Sequence, residues 1–435
     1  MRSRLLAGAI LIASGLIAWL AISAWPAARL LQGAIGLSLL YVAYLAWRGW
    51  RVMRDAREPT AVPGSRPWIT VLVPAADESA VIATVVADLI GQDYADGRER
   101  RFDVLVLDDG SSDGTGELAR VAAEPAPDAV TVCRREAGTG PRTKGAALAW
   151  AQPRVRGDVV AVIDADAHVA SDFLAGAMAA WSRDPGAAAL QVQRRDANRR
   201  SGWLTAAQDE EQLMDMASQC GRWSTDGTAE LRGNGMLIRR DRLEAVGGWS
   251  PTALTEDLEM STRLTLHGER VALAPEVRVM EQAVESVGAL WRQRMRWAEG
   301  SLRRLMELGP SLVANRALPL GRRLDFIVFI GEFVIPPLFA ASIVASLLTV
   351  VLPRPADWTV PITLFIGYAL GTYLLALAGL AASGERSLRI LGRSLRGSLF
   401  LSHWLLVVPA ALLRIALWPP TTDFARTARR SMVDR

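Results

Sequence analysis

Val159-Val160-Ala161-Val162-Ile163-Asp164-Ala165-Asp166 decides the fold. Five consecutive aliphatic residues, three of them valine, suit a strand buried on both faces. A turn carrying two carboxylates follows at once. Working outward, Trp68–Val73 repeats the pattern and ends at Pro74, before the acidic turn Ala75-Ala76-Asp77-Glu78. Ser79 is placed to cap a helix running through Ile90. Phe102–Leu107 repeats it again and ends in Asp108-Asp109-Gly110-Ser111-Ser112-Asp113-Gly114-Thr115. Strand, polar turn and helix in series predict an α/β fold, a Rossmann-like, mostly parallel sheet with helices on its faces. Ligands of such sheets bind at the carboxyl ends of the strands, where these acidic turns fall. No glycine-rich phosphate loop of either common type is present, so phosphate charge must be met by a metal and by basic side chains.

Farther out the composition changes. The chain has 435 residues, 51% of them hydrophobic. Leu5 to Ala24 is uncharged and long enough to cross a bilayer, and Leu30 to Trp47 follows after a break at Trp25-Pro26 and Arg29. A cleaved signal peptide would show a small-residue cleavage site and no second span at once, so a retained hairpin over 1–50 is expected. Arg2 and Arg4 before it, and Arg48, Arg51, Arg54 and Arg57 after it, put both flanks on the cytoplasmic side. Residues 51–300 have the composition of a cytosolic domain. Over 301–324, leucines and Met306 alternate with Arg303, Arg304, Arg322 and Arg323, which predicts an amphipathic helix on the membrane surface. Apolar runs resume at Asp325–Val351 and Trp358–Ser383. Leu399–Trp418, interrupted by Pro409 and Arg414, is expected to be partly interfacial or re-entrant within a helical region over 325–420. A basic cytosolic tail occupies 421–435. The reading is of a multi-pass protein of the plasma membrane with its sheet domain in the cytoplasm.

Charge and cysteine content exclude other classes. A formal net charge of +4 offers no concentrated basic face for nucleic acid, and two cysteines supply neither a disulfide framework nor a zinc site. Among 49 basic residues, Lys144 is the single lysine. Set in Arg142-Thr143-Lys144-Gly145, it reads as a compact point charge beside phosphate, an isolated surface lysine being the plainer alternative. Asp164 and Asp166 offer hard oxygen ligands for Mg²⁺ or Mn²⁺, although such a triplet alone is more often a solvated turn. Thr255-Glu256-Asp257 opens a helix through His267. Its carboxylates either favour the helix dipole or provide a base for an acceptor hydroxyl. In Gln293-Arg294-Met295-Arg296-Trp297, Arg296 suits a diphosphate and Trp297 a sugar face, or the whole cluster is a membrane-surface belt.

Taken together, D-D-G, D-x-D, T-E-D and Q-x-x-R-W, in this order and with apolar helices on both sides, resemble the membrane-embedded family-2 glycosyltransferases. That group holds cellulose, hyaluronan and poly-N-acetylglucosamine synthases. The resemblance implies a nucleotide-diphospho-sugar transferase fold and an inverting hexosyl transfer from a nucleotide sugar, UDP being the usual base. It places Pro74, Asp77, Glu78, Asp108 and Asp109 at the nucleotide. Asp164 and Asp166 fall at the metal and diphosphate, together with Lys144. Asp257 falls on the general base with Glu256 beside it, and Gln293, Arg296 and Trp297 at the diphosphate and acceptor end. Asp77 stands where the family commonly has asparagine. Arg232-Gly233-Asn234-Gly235, Gly247-Gly248-Trp249 and Arg296-Trp297-Ala298-Glu299-Gly300 resemble the branch of β-monoglucosyldiacylglycerol synthases. That favours a lipid acceptor such as diacylglycerol over a growing polysaccharide chain, which the shared catalytic motifs would also serve. Thr421–Arg430 also resembles the gating-loop region of the polymerases.

Overall fold

β-Branched and aliphatic runs at 69–73, 104–107 and 159–163 can satisfy their backbone and bury both faces only within a sheet, and that is what they form. The computed structural model describes residues 2–56, 66–352, 358–385 and 387–419. Along the chain run α1 (Arg2–Ser23), α2 (Trp25–Asp55), β1 (Ile69–Ala75), α3 (Ile82–Ile90), a short hairpin of β2 (Ala95–Asp96) and β3 (Glu99–Arg100), and β4 (Phe102–Asp109). They are followed by α4 (Thr115–Ala123), β5 (Val130–Arg135), α5 (Lys144–Ala151), β6 (Val159–Val162), β7 (His168–Val169), α6 (Phe173–Trp181) and β8 (Ala189–Asp196). Next are α7 (Trp203–Trp223), β9 (Met236–Arg239), α8 (Arg240–Ala245), α9 (Glu256–Leu266) and β10 (Val271–Glu281). The chain ends in helices α10 (Val287–Ala314), α11 (Leu320–Val351), α12 (Thr359–Ala382), α13 (Arg389–Leu401) and α14 (Trp404–Leu417). Arg57, the 421–435 tail and the resemblance at Thr421–Arg430 lie outside the described residues.

Two compact units result. Of the described residues, one unit takes those within 55–206 and 228–285, and the other those within 1–54, 207–227 and 286–420. The first is built on an eight-stranded sheet in the order β5-β4-β1-β6-β9-β8-β10-β7. β5, β4, β1 and β6 are parallel neighbours, with Val71 opposite Val104 on one side and Ala161 on the other. β8 and β10 also pair in parallel. β9 runs antiparallel between β6 and β8, and β7 antiparallel at the far edge. The sheet is therefore mostly parallel, as expected. A core of Val, Ile, Leu and Ala from its strands, with Phe173, Leu174 and Trp181 of α6, is fully or nearly fully buried. The reversal at β9 matters for function. An antiparallel strand brings its beginning to the edge where parallel neighbours end, so the residues before Met236 meet the turn after β6.

The second unit is helical. Among the described residues, five helices are long and apolar enough to cross a membrane: Arg2–Ser23, Trp25–Asp55, Leu320–Val351, Thr359–Ala382 and Arg389–Leu417. The last is broken between α13 and α14 at Ser402-His403, and the expected segment boundary at Leu399 falls inside α13. α14 alone, at 14 residues, is about 21 Å long and short of a ~30 Å hydrocarbon core. The stretch 301–324, expected as one surface helix, divides between two helices. Residues 301–314 are the second half of α10, and Leu320 already begins α11. Ser301–Met306 is buried, because Glu299 accepts hydrogen bonds from Arg303 at 2.8 and 3.0 Å and from Arg414 at 2.9 Å, neutralising charge that would otherwise seek water.

α7 belongs with these helices. A β-carbon on Gly221 would stand 2.3 Å from the Leu45 carbonyl oxygen, and one on Gly49 would stand 1.9 Å from that of Ala217, so α2 and α7 cross backbone to backbone. The Glu210 side chain is fully buried and takes Arg393 Nε and Arg396 Nε at 2.9 Å each. Arg222 reaches Asp325 Oδ2 at 3.1 Å, and Tyr41 donates to Asp325 Oδ1 at 3.0 Å.

Candidate active site

Two turns at the carboxyl edge are laced together. After β1 the chain enters the left-handed region at Asp77, φ +56°. Asp77 Oδ1 accepts from the backbone N–H of Ser112 at 2.7 Å, while the N–H groups of Asp77 and Glu78 donate to Ser111 Oγ (3.0 Å) and Thr115 Oγ1 (2.8 Å). An amide in place of the carboxylate could accept the Ser112 bond equally well, so an aspartate where asparagine is common leaves this turn intact. Asp108 is fully buried. It accepts from the Ser111 N–H at 2.9 Å and pairs with Arg134 at 2.8 Å. Gly116 must be glycine, since a β-carbon there would lie 2.5 Å from Asp108 Oδ2. Asp109 is held by the buried Arg135, Nε to Oδ1 at 2.7 Å, and Arg142 donates to the Asp109 carbonyl at 3.0 Å. Pro74 sits within β1, opposite Leu107.

A second cluster closes around Lys144. Thr143 caps α5, its Oγ1 accepting from the Ala146 N–H at 2.9 Å and donating to the Pro251 carbonyl at 2.8 Å. Lys144 Nζ then donates to Asp164 Oδ1 at 2.5 Å and to the Gly233 carbonyl at 2.9 Å, and lies 3.4 Å from Glu256 Oε1. Gly233 has φ +80°, and a β-carbon on it would stand 3.2 Å from Asp257 Oδ2. Lys144, Asp164, Glu256 and Asp257, named from separate stretches of sequence, therefore meet around one glycine. Burial works against the lysine's charge, but the neighbouring Asp164 and Glu256 outweigh it and hold the ammonium well above its ordinary range. Burial pushes the Glu256 carboxyl up to about 7 and raises that of Asp257, with Lys144 opposing both shifts.

Asp164 is positioned through its backbone: its N–H donates to Asn234 Oδ1 at 3.1 Å, and Asn234 Nδ2 donates to Glu281 Oε2 at 3.2 Å. Asp166, two residues on, is buried. Among the described residues no three His, Cys, Asp or Glu side chains converge on a metal position. The two D-x-D carboxylates are hard oxygen donors. They suit a Mg²⁺ or Mn²⁺ ion whose remaining ligands are phosphate oxygens and water, rather than an all-protein cage.

Gln293, Arg296 and Trp297 lie on α10, in the helical unit. There Arg294 is the fully buried residue, stacked 4.1 Å from the Trp297 ring centroid and paired with Glu211, which also accepts from Trp404 Nε1 at 3.2 Å. Gln293 Oε1 is buried with no hydrogen-bond partner among the described residues. Several contributors escaped the sequence: Glu281, Arg134, Arg135 and Glu211. The R-G-N-G stretch was visible as a motif, but its place beside Asp164 depends on the direction of β9.

Residues 66–300 match the family described as glycosyltransferase like family 2. The chain is 33% identical over 379 residues to a β-monoglucosyldiacylglycerol synthase of Trichormus variabilis, covering 84% of this chain and 77% of that protein. It is 27% identical over 259 residues to a poly-β-1,6-N-acetyl-D-glucosamine synthase of Staphylococcus aureus, covering 58% and 59%. Among solved structures it shares the fold of a mannosyltransferase of Pyrobaculum calidifontis in complex with GDP-Man and Mn²⁺. The TM-score is 0.60 at 22% identity, over 89% of this chain and 98% of that one.

Proposed function

This chain belongs to glycosyltransferase family 2, is an enzyme that transfers sugar, and from that premise we propose a lipid acceptor of the diacylglycerol class and a UDP-hexose donor. The observation that carries the acceptor is reach. Similarity to the glucosyldiacylglycerol synthase spans 84% of the chain and so runs beyond the sheet domain into the helices, whereas the polysaccharide synthase matches 58%. The arginines flanking the first two helices support a multi-pass protein of the plasma membrane with its sheet domain in the cytoplasm.

The chemistry is a single inverting displacement. A lipid hydroxyl oxygen attacks the anomeric carbon as the bond to the diphosphate oxygen breaks, and the hydroxyl proton passes to Asp257. Burial raises the proton affinity of this carboxylate, which suits a base. Asp77, Glu78 and the turn held by Asp108 and Asp109 would shape the nucleotide pocket. Asp164 and Asp166 would hold a Mg²⁺ or Mn²⁺ ion that neutralises diphosphate charge. By resemblance, Gln293, Arg296 and Trp297 would serve the diphosphate and the acceptor end.

Membranes carrying the protein, given labelled UDP-hexoses one at a time with Mg²⁺ or Mn²⁺, test the reading. Label should enter the organic phase and be absent with Asp257→Asn, which keeps UDP binding. Label confined to an alcohol-insoluble pellet would replace the lipid acceptor with a polysaccharide. Full turnover by Asp257→Asn would remove the assigned base.

A further inference from the structure

We infer that Lys144 is a positioning residue, the pin that sets the Glu256-Asp257 turn against Asp164, and not a cation held in reserve for the diphosphate. The inference rests on the sugar-transfer reading above. An ammonium has three N–H donors. Here it donates to two acceptors, Asp164 Oδ1 after β6 and the Gly233 carbonyl before β9, and forms an ion-pair contact at 3.4 Å with Glu256 Oε1 at the start of α9. Turning toward a phosphate would mean loosening the Glu256 contact or one of the two hydrogen bonds.

The residues on either side of Lys144 do the same work. Thr143 Oγ1 donates to the Pro251 carbonyl. A β-carbon on Gly145 would stand 2.4 Å from the Ser250 carbonyl oxygen and 3.3 Å from Glu256 Cβ, so the start of α5 is seated directly on the 250–256 segment. Thr143, Lys144 and Gly145 thus fasten α5 to the segment that presents Asp257, each by a different contact. Asp164 is fastened independently through Asn234 and Glu281. Removing the pin would let the base drift from the D-x-D turn while both remain present.

The geometry also accounts for the residue type. Two hydrogen-bond acceptors and one ion-pair oxygen, converging on one nitrogen from three segments, fit a compact tetrahedral ammonium. A planar guanidinium would spread its donors over a fork that this spacing does not match. In a chain with 49 basic residues, the one lysine stands at this position.

The test uses full-length protein with Lys144→Arg, Lys144→Met, Glu256→Gln and the paired variants, reading UDP affinity, kcat at saturating donor, and apparent Tm. A pin predicts that kcat falls on the order of 100-fold in both lysine variants, as expected when reacting groups shift by about 1 Å. UDP affinity should change by less than about threefold, because the loss lies in the transition state. Glu256→Gln should cost on the order of tenfold less in a lysine-variant background than alone, since the two groups act as one unit. The same non-additivity should appear in apparent Tm. Weakened UDP binding with kcat retained, or effects that simply multiply, would place Lys144 on the diphosphate and overturn the proposal. If Lys144→Met fails to fold, the Lys144→Arg and Glu256→Gln cycle decides. If wild-type protein transfers no hexose, the functional reading fails, while UDP affinity and the Tm cycle still judge the pin.

Discussion

Replacing Gly233 by alanine isolates how closely Asp257, the proposed base, must be placed. The residue has φ +80°, where a β-carbon costs about 1–2 kcal/mol. The same β-carbon would stand 3.2 Å from Asp257 Oδ2 and 3.5 Å from Lys144 Nζ. Comfortable contact with carbon needs ~3.5–4.0 Å, so the carboxylate must retreat by several tenths of an ångström. If a 1 Å misplacement costs ~100-fold, this retreat should lower kcat on the order of tenfold. Gly247→Ala is the matched control. Its φ is +88°, so the backbone cost is alike, but the nearest atom to a new β-carbon is Arg263 Nη1 at 4.0 Å. Both variants should lose apparent Tm by roughly 2–8 °C in a domain of this size. Only Gly233→Ala should lose turnover in the membrane transfer assay with donor at saturation. Wild-type kcat in Gly233→Ala, or an equal loss in both variants, would refute the placement of Asp257 against this turn.

Three further outcomes follow from buried charge. The Glu256 carboxyl titrates near 7 when folded and near ~4.3 when unfolded, so the folded protein binds more protons in that window. Stability from this group is then lost as pH rises from about 4.5 to 7. Glu256→Gln should flatten that slope in thermal melts across pH, and an unchanged slope would contradict the assignment. Because burial also raises Asp257, the acid limb of the transfer rate should lie above the ~3.9 of an ordinary aspartate. In the helical unit, Arg222→Ala leaves Asp325 buried without its ion-pair partner and should cost about 3–5 kcal/mol, read as lost folded yield in detergent. Yield equal to wild type would show that the pair carries no weight.

How much was legible depended on whether a segment's neighbours share its character. β1, β4 and β6 are buried on both faces, so their sequences are almost purely apolar up to the turn, and the acidic turns could be placed at the right edge. β8 carries Gln191, Gln193, Arg194 and Arg195, and β10 carries Pro275; neither stands out as a strand. α7 was hidden for a different reason. Asp209, Glu210, Glu211 and Gln212 look like a solvated face, yet Glu210 and Glu211 are partnered by Arg393, Arg396 and Arg294, which lie far along the chain. Only the fold brings those charges together. Conversely, the resemblance places Asp108 and Asp109 at the nucleotide, and in the structure their oxygens already hold Ser111, Arg134 and Arg135. Lys144 was legible as exceptional from composition alone, but its three partners were not.

The reversed strand β9 also sets an order of assembly during synthesis. Val162 of β6 and its partner Met236 of β9 are ~74 positions apart, about 4–15 s of translation at ~5–20 residues per second. For that interval β6 has β1 on one side and an unfilled slot on the other. The segment emerging meanwhile includes α7, whose partners are helices rather than strands. The ribosome must therefore deliver a piece of the membrane unit before it delivers the strand that completes the sheet. Because each unit is interrupted by the other, neither can be made whole from one continuous fragment of the gene. Truncations that look generous on a linear map would leave β6 with a raw edge, open to pairing with another chain.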